Sequence, residues 1–126
     1  MSEPNIKILI IDDSTTNVFI LEAIFGSEGY QIITALSVSE AFYCIRKERP
    51  DIILLDLNMP EVSGFDFLKK IKADQKTSNI PVIVVSALTD NESISRSLIL
   101  GAVHFIKKPV DIPLLKKIVS DLLNQI

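Results

Sequence analysis

Short runs of consecutive apolar residues alternate five times along the chain with longer stretches whose apolar positions recur every three or four residues. The runs predict strands at Ile6 to Ile11, Gln31 to Ala35, Asp51 to Leu55, Ile80 to Val85 and Val103 to Lys107. The stretches between and after them have helical periodicity. The first, third and fourth runs are continuously apolar and rich in Ile and Val, as strands covered on both faces must be. Pro81 is compatible with the fourth only by opening it, because proline has no amide to donate to a ladder.

Capping chemistry marks several helix starts. Ser37-Val38-Ser39-Glu40 and Thr89-Asp90-Asn91-Glu92 have the S/T-x-x-E spacing in which two side chains satisfy free backbone amides reciprocally, so helices should begin after Ser37 and Thr89. The helix after Asp13 would turn Val18, Leu21, Ile24 and Phe25 inward, and the one after Gly64 would bury Leu68 and Ile71. In the last helix Leu115, Ile118, Val119, Leu122 and Ile126 form one apolar stripe, leaving Lys116, Lys117 and Asp121 to water. Gly101 is placed to end the fourth helix in a left-handed conformation. Strand, helix, strand repeated in this way demands right-handed crossovers, hence an α/β fold with a parallel sheet and helices on both faces. The pattern does not give strand order. It does locate function, because ligands of such sheets bind in the crevice beyond the carboxyl ends of the strands.

Composition narrows the picture. A length of 126 residues predicts one domain spanning 1–126. With 48% hydrophobic and 23% charged residues, the chain can bury a core and fold unaided. A net charge of -3, with no Lys/Arg run longer than a pair, argues against direct nucleic-acid binding. The longest apolar runs, Ile8 to Ile11 and Ile52 to Leu55, are too short to cross a bilayer, and the N-terminus lacks signal-peptide regions; a cytoplasmic protein without membrane insertion is expected. Cys44 is the single cysteine, so it has no disulfide or zinc partner within the chain and is expected to be a reduced thiol on a helix.

Polar chemistry collects where the strands end. The first strand runs into Asp12-Asp13, the third into Asp56, the fourth into Ser86 and the fifth into Lys107-Lys108-Pro109. The second delivers only Thr34-Ala35-Leu36, which fits an edge remote from the site. Carboxylates meeting at one rim repel: two unit charges about 4 Å apart interact by roughly 4 kcal/mol at an effective dielectric near 20. A hard divalent cation with oxygen ligands offsets this, and Mg²⁺ typically takes one or two carboxylates together with waters and phosphate oxygens. Lys108 supplies a second positive charge. A metal, a lysine and a hydroxyl around a carboxylate are what phosphoryl transfer to Asp56 requires, since that chemistry rests on alignment and charge stabilisation.

From Lys7 to about Gln125 the chain resembles the receiver domains of two-component response regulators. The matching residues are Asp12-Asp13, Asp56-Leu57-Asn58-Met59-Pro60 followed by Gly64, the small pair Ser86-Ala87, and Lys108-Pro109. The resemblance implies a flavodoxin-like strand order 2-1-3-4-5, with Asp56 as phosphoacceptor. It further implies that Asp13 and Asp56 hold Mg²⁺ directly, that Asp12 acts mainly through water, and that the Asn58 main-chain carbonyl completes the protein's share. Lys108 would pair with phosphoryl oxygens and Ser86 would donate a hydrogen bond to one of them, with Ala87 keeping the approach open. Phe105 falls on the family's switch aromatic, and Lys108-Pro109 on its cis bond, which proline makes accessible by cutting the trans preference to about 0.5 to 1 kcal/mol.

By the same resemblance the chain is a signalling switch and not a conventional enzyme. It would take its phosphoryl group from a histidine kinase or phosphotransfer protein and change the surface of the fourth helix, fifth strand and fifth helix. With no output domain after Ile126, the effect is expected to pass to a downstream target or to an output domain outside this sequence; phosphorylation-dependent dimerisation is left open. Departures are small: Ser86 stands where Thr is common and Phe105 where Tyr is common. Leu88, at a position that modulates water access in the family, points to slow autodephosphorylation. The segment Asp12 to Asn17 is also somewhat similar to receivers of hybrid histidine kinases.

Each residue has a plainer reading. Asp12-Asp13 is compatible with a helix N-cap, Asp56 with a turn, and Lys108 with a solvated lysine; the register of four strand ends is what lifts them together. His104 opens the fifth strand, away from the rim, so partial burial or exposure accounts for it better than phosphohistidine chemistry. Phe42, Phe65 and Phe67 fit packing, and Lys69-Lys70 and Lys116-Lys117 fit solvated helix faces. A phosphohydrolase with an aspartyl-phosphate intermediate would need a general acid two residues after Asp56, where Asn58 stands. An unphosphorylated interaction module is disfavoured by the intact set Asp13, Asp56, Ser86 and Lys108, and a flavodoxin-like cofactor binder by the absence of a Ser/Thr-Gly phosphate cradle.

Overall fold

In a computed structural model, residues 5–59 and 63–124 are described. They alternate strand and helix: β1 (Lys7–Ile11), α1 (Thr15–Ser27), β2 (Gln31–Ala35), α2 (Val38–Lys47), β3 (Ile52–Leu55), α3 (Gly64–Ala73), β4 (Val82–Ser86), α4 (Asn91–Ile99), β5 (His104–Lys107) and α5 (Ile112–Leu123). The strands form one parallel sheet in the order β2-β1-β3-β4-β5. That order places β2 at an edge and β1, β3 and β4 inside, as their continuous apolar runs require.

Side chains alternate faces along each strand, and the core splits accordingly. Leu9, Ile11, Ile53, Leu55, Val82 and Val84 face α2 and α3, where Phe67, Leu68 and Ile71 cover them. Ile8, Ile10, Ile52, Leu54, Ile83 and Val85 face α1 and α5, meeting Leu21, Phe25, Leu115 and Val119. Phe67 is fully buried with the Phe42 ring centred 5.0 Å away; burying such a side chain contributes roughly 1.5–3 kcal/mol. The three phenylalanines in question therefore pack, and His104 is exposed at the start of β5. Cys44 lies half-buried on α2, and burial pushes its thiol pKa up.

Several boundaries differ from the sequence expectation. β4 spans Val82–Ser86, so Ser86 is the last residue of the strand. The Pro81 carbonyl accepts from the Ile53 amide at 3.0 Å, but without an amide of its own proline stands just before the strand. The expected cap of the fourth helix moves from Thr89 to Asp90, whose carboxylate accepts from the Ser93 amide at 3.0 Å. A negative charge at a helix N-terminus is favoured by the helix dipole as well as by the hydrogen bond. At α2 the cap is Ser37 as the spacing predicts, accepting from the Glu40 amide at 3.1 Å, while the Glu40 carboxylate reaches the Leu36 amide, one residue before the cap. Ser14 caps α1.

On α1 Val18, Leu21 and Phe25 are buried and Ile24 is half-buried; on α5 Leu115 and Val119 are buried, Ile118 and Leu122 half-buried, and Gln125 and Ile126 lie outside the described residues. Gly101 follows α4 at φ +115°, where a Cβ would also stand 2.8 Å from Lys72 Cγ. Lys72 itself donates to the carbonyls of Ser78 and Ile80 at 3.1 and 2.7 Å, tying the end of α3 to the approach to β4. Among the described residues no helix is long and apolar enough to cross a membrane.

Candidate functional site

Strand register brings the charged residues together. Ile11 pairs with Leu55, and the Asp56 amide donates to the Ile11 carbonyl at 2.9 Å, so Asp12 and Asp56 leave adjacent strands side by side. Ser86 pairs with Lys107, and the Lys108 amide donates to the Ser86 carbonyl at 3.0 Å, carrying the lysine to the same rim. Asp12, Asp56 and Lys108 thus meet beyond β1, β3 and β5, Ser86 ends β4 between β3 and β5, and β2 lends only the Ala35 carbonyl, which accepts from the Asp12 amide at 3.1 Å.

Asp12 and Asp56 are buried, at 3% and 5% relative exposure, whereas Asp13 is exposed. One carboxylate oxygen from each of the three lies within 4.8 Å of the others. The Lys108 ammonium donates to Asp12 Oδ2 at 2.8 Å and to Asp56 Oδ2 at 3.3 Å. Asp12 is further held by the Ser14 amide on Oδ1 at 2.9 Å and by Asn17 Nδ2 on Oδ2 at 3.3 Å. Asp56 Oδ1 accepts from the Asn58 amide at 3.1 Å. The helix-cap reading of the acidic pair thus passes to Ser14, while Asp12 receives the amide of the capping residue.

These contacts set the electrostatics. Burial drives the Asp56 pKa up, the Asn58 amide and the Lys108 charge pull it back, and the Asp12 charge pushes it up again; the balance is a raised value. For Lys108 burial disfavours the ammonium, yet the hydrogen bond to Asp12 and the charges of Asp56 and Asp12 outweigh it, so its pKa is raised. The lysine is held as a cation against two carboxylates. A third carboxylate, Asp13, faces solvent beside them. This donor set consists only of hard oxygens, which fits Mg²⁺ and not a thiolate- or imidazole-seeking metal.

Ser86 is fully buried, and its hydroxyl oxygen accepts from the Leu88 amide at 3.1 Å. Ala87 is exposed; Leu88 and Phe105 are half-buried against the α2/α3 side of the core. The Lys108-Pro109 peptide bond is cis. Pro60, within the motif beginning at Asp56, lies outside the described residues. Gly64 has a physical reason: a Cβ there would sit 2.6 Å from the Asp56 carbonyl oxygen and 2.7 Å from Leu57 Cα. Sequence reasoning did not assign Asn17 a contact. Its signal was its place five residues after Asp12, one helical turn beyond the cap, which aims its amide back at the strand end.

Residues 8–120 match the family model described as the response regulator receiver domain. The chain therefore belongs to the receiver domains of response regulators, a family of signalling phosphoacceptor domains. It is 39% identical over 105 residues to Response regulator PleD of Caulobacter vibrioides, spanning 83% of this chain but only 23% of that protein. With Sporulation initiation phosphotransferase F of Bacillus subtilis it shares 39% identity over 108 residues, covering 86% of each. Among solved structures, the signal receiver domain of a signal transduction histidine kinase from Syntrophus aciditrophicus superposes with a TM-score of 0.88 at 35% identity, covering 95% of this chain and 91% of that one.

Proposed function

We propose that this chain, taken as one receiver domain over 1–126, is a cytoplasmic phosphorylation switch. It accepts a phosphoryl group on Asp56 from a phosphohistidine of a histidine kinase or phosphotransfer protein. The observation that carries this reading is the convergence of the Asp12, Asp13 and Asp56 carboxylates within 4.8 Å, with the Lys108 ammonium bridging Asp12 and Asp56. Asp13, Asp56 and the Asn58 main-chain carbonyl would hold Mg²⁺, with Asp12, whose oxygens accept three protein donors against two at Asp56, contributing through water. When bound, the cation neutralises charge on the transferring phosphoryl oxygens.

The remaining steps belong to the protein. A carboxylate oxygen of Asp56 attacks phosphorus in line, the P–N bond to the donor imidazole breaks and a P–O bond to Asp56 forms. The Lys108 ammonium then exchanges Asp56 for a phosphoryl oxygen, a short move because it already stands 3.3 Å from Asp56 Oδ2. The Ser86 hydroxyl keeps its proton free to donate to another, since its bond to Leu88 uses the oxygen as acceptor. Drawing Ser86 toward the phosphate leaves space that half-buried Phe105 fills, shifting the population toward a different surface of α4, β5 and α5. That surface would control a downstream target or an output domain, and its use in a phosphorylation-dependent dimer is one such readout.

Intact mass after incubation with Mg²⁺ and acetyl phosphate tests the proposal. One phosphoryl adduct on the wild-type chain, absent from Asp56→Asn and from EDTA-treated protein, is expected. Failure of the wild-type chain to take up phosphate would reject the switch in favour of an unphosphorylated interaction module.

A further inference from the structure

On the α2/α3 face, toward the amino-terminal ends of the strands and so away from Asp56, the carboxyl-terminal ends of α2 and α3 and the segment leading to β4 form a cleft of about 570 Å³. This lies within the roughly 300–1,000 Å³ usual for small-molecule sites. Its floor is apolar: Phe42 and Ile45 are half-buried and Ile71 is buried. Its rim is basic, with exposed Arg46, Arg49, Lys70 and Lys76 and a single acid, Asp74. Four of the chain's 13 Lys and Arg residues, against one of its 16 Asp and Glu, therefore surround one cavity in a molecule whose net charge is -3.

Helix dipoles explain only part of this excess. Each carboxyl-terminal end carries roughly half a negative charge, so two ends and Asp74 still leave an excess of about two positive charges. Nor are the cations consumed locally: among the described residues none of the four takes part in an ion pair. Arg49 donates from its Nε to the Lys76 carbonyl at 3.4 Å, and its terminal nitrogens make no hydrogen bond among the described residues. Asp74 Oδ1 is occupied by the Lys76 amide at 2.9 Å, and the Thr77 hydroxyl by the Ile71 carbonyl at 2.7 Å. The groups left to recognise a ligand are four cations and one carboxylate oxygen, Asp74 Oδ2, above an aromatic and aliphatic floor.

We propose that this cleft binds a nucleotide, with phosphates on Arg46, Arg49, Lys70 and Lys76 and the base against the exposed parts of Phe42 and Ile45. Guanidinium groups match phosphate oxygens in a bidentate manner, and a planar base covers apolar surface that water otherwise wets. Neither half of the site alone supplies both features, so both a charged and a flat apolar part are needed. The site is independent of phosphorylation at Asp56 and stands or falls separately from it.

The test is a titration of the ¹⁵N-labelled chain with ATP in EDTA, monitored by amide shifts, alongside adenosine, inorganic tripolyphosphate and a glutamate-rich peptide. Saturable shifts over residues 42–49 and 70–77 are expected with ATP, with adenosine and tripolyphosphate each at least about tenfold weaker, a difference of about 1.4 kcal/mol. The double variant Arg46→Gln/Lys70→Gln should keep the wild-type urea midpoint and spectrum while weakening ATP by at least about tenfold. Any of four results overturns the proposal: no saturable shift there at about 10 mM ATP, shifts centred instead on Asp12, Asp13 and Asp56, tripolyphosphate binding as tightly as ATP, or the acidic peptide binding more tightly.

Discussion

Gly64 illustrates how a single position shapes the backbone at Asp56. Its backbone passes so near the Asp56 carbonyl that a methyl group would be forced to 2.6 Å from the oxygen, and neither neighbour is a flexible side-chain end. Gly64→Ala must therefore displace backbone next to Asp56. Overpacking of this kind costs about 1–3 kcal/mol, and urea unfolding followed by circular dichroism should register it, together with slower phosphoryl uptake from acetyl phosphate. Wild-type stability and uptake would show that the contact is relieved elsewhere. The same scale explains why Asn17 escaped sequence reasoning: an asparagine in the first turn of a helix is ordinary, and only the 3.3 Å contact with Asp12 gives it a task.

Element by element, caps and glycines carried most of the local information. Ser37 was legible because its hydroxyl and Glu40 stand at the spacing a capping pair needs. Thr89 was misread because Asp90 beside it is a competent cap with a negative charge, and the pattern alone did not rank them. The hydrogen bonds from Ser93 hold the Asp90 carboxyl below its ordinary pKa. A folded value depressed below the unfolded one means that the cap's contribution to stability is full above about pH 4 and is lost as pH falls through the folded value. Protection factors of the α4 amides, corrected for the pH dependence of intrinsic exchange, should therefore fall on acidification through that range, and Asp90→Asn, which caps without titrating, should remove this dependence. An α4 whose exchange follows the same pH course in both proteins would assign the acid sensitivity to another group.

At the scale of the whole molecule, the carboxylate rim joins stability to function. Asp12 and Asp56 are buried together with Lys108 as their shared counter-ion, so a cation that binds only the folded rim must stabilise the entire chain. At about 100 times its dissociation constant Mg²⁺ should add about 2.7 kcal/mol, reversed by EDTA and absent in Asp13→Asn, as followed by urea midpoints. Lys108→Met should be less stable than wild type without Mg²⁺ but gain more from it, because the ammonium no longer competes for the same oxygens. Equal Mg²⁺ gains in both proteins would show that lysine and metal do not share the rim.

Apolar runs and helical periods were sufficient to determine five strands and five helices and two-sided burial of the sheet, because these follow from local periodicity. The rule that ligands meet strand carboxyl ends singled out Asp12, Asp13, Asp56, Ser86 and Lys108 as candidates, of which the structure brings Asp12, Asp13, Asp56 and Lys108 into one cluster. Periodicity left the strand order open and the motif resemblance supplied 2-1-3-4-5, which the sheet has; tertiary structure decided which charges touch. The Lys108 ammonium lies on Asp12 and Asp56 because β1 and β3 are adjacent and β5 follows β4, and Arg46 and Lys70 share one cleft because α2 and α3 cover the same face. Contacts between residues far apart in sequence depend on register and on which face a helix crosses. No window of sequence carries either.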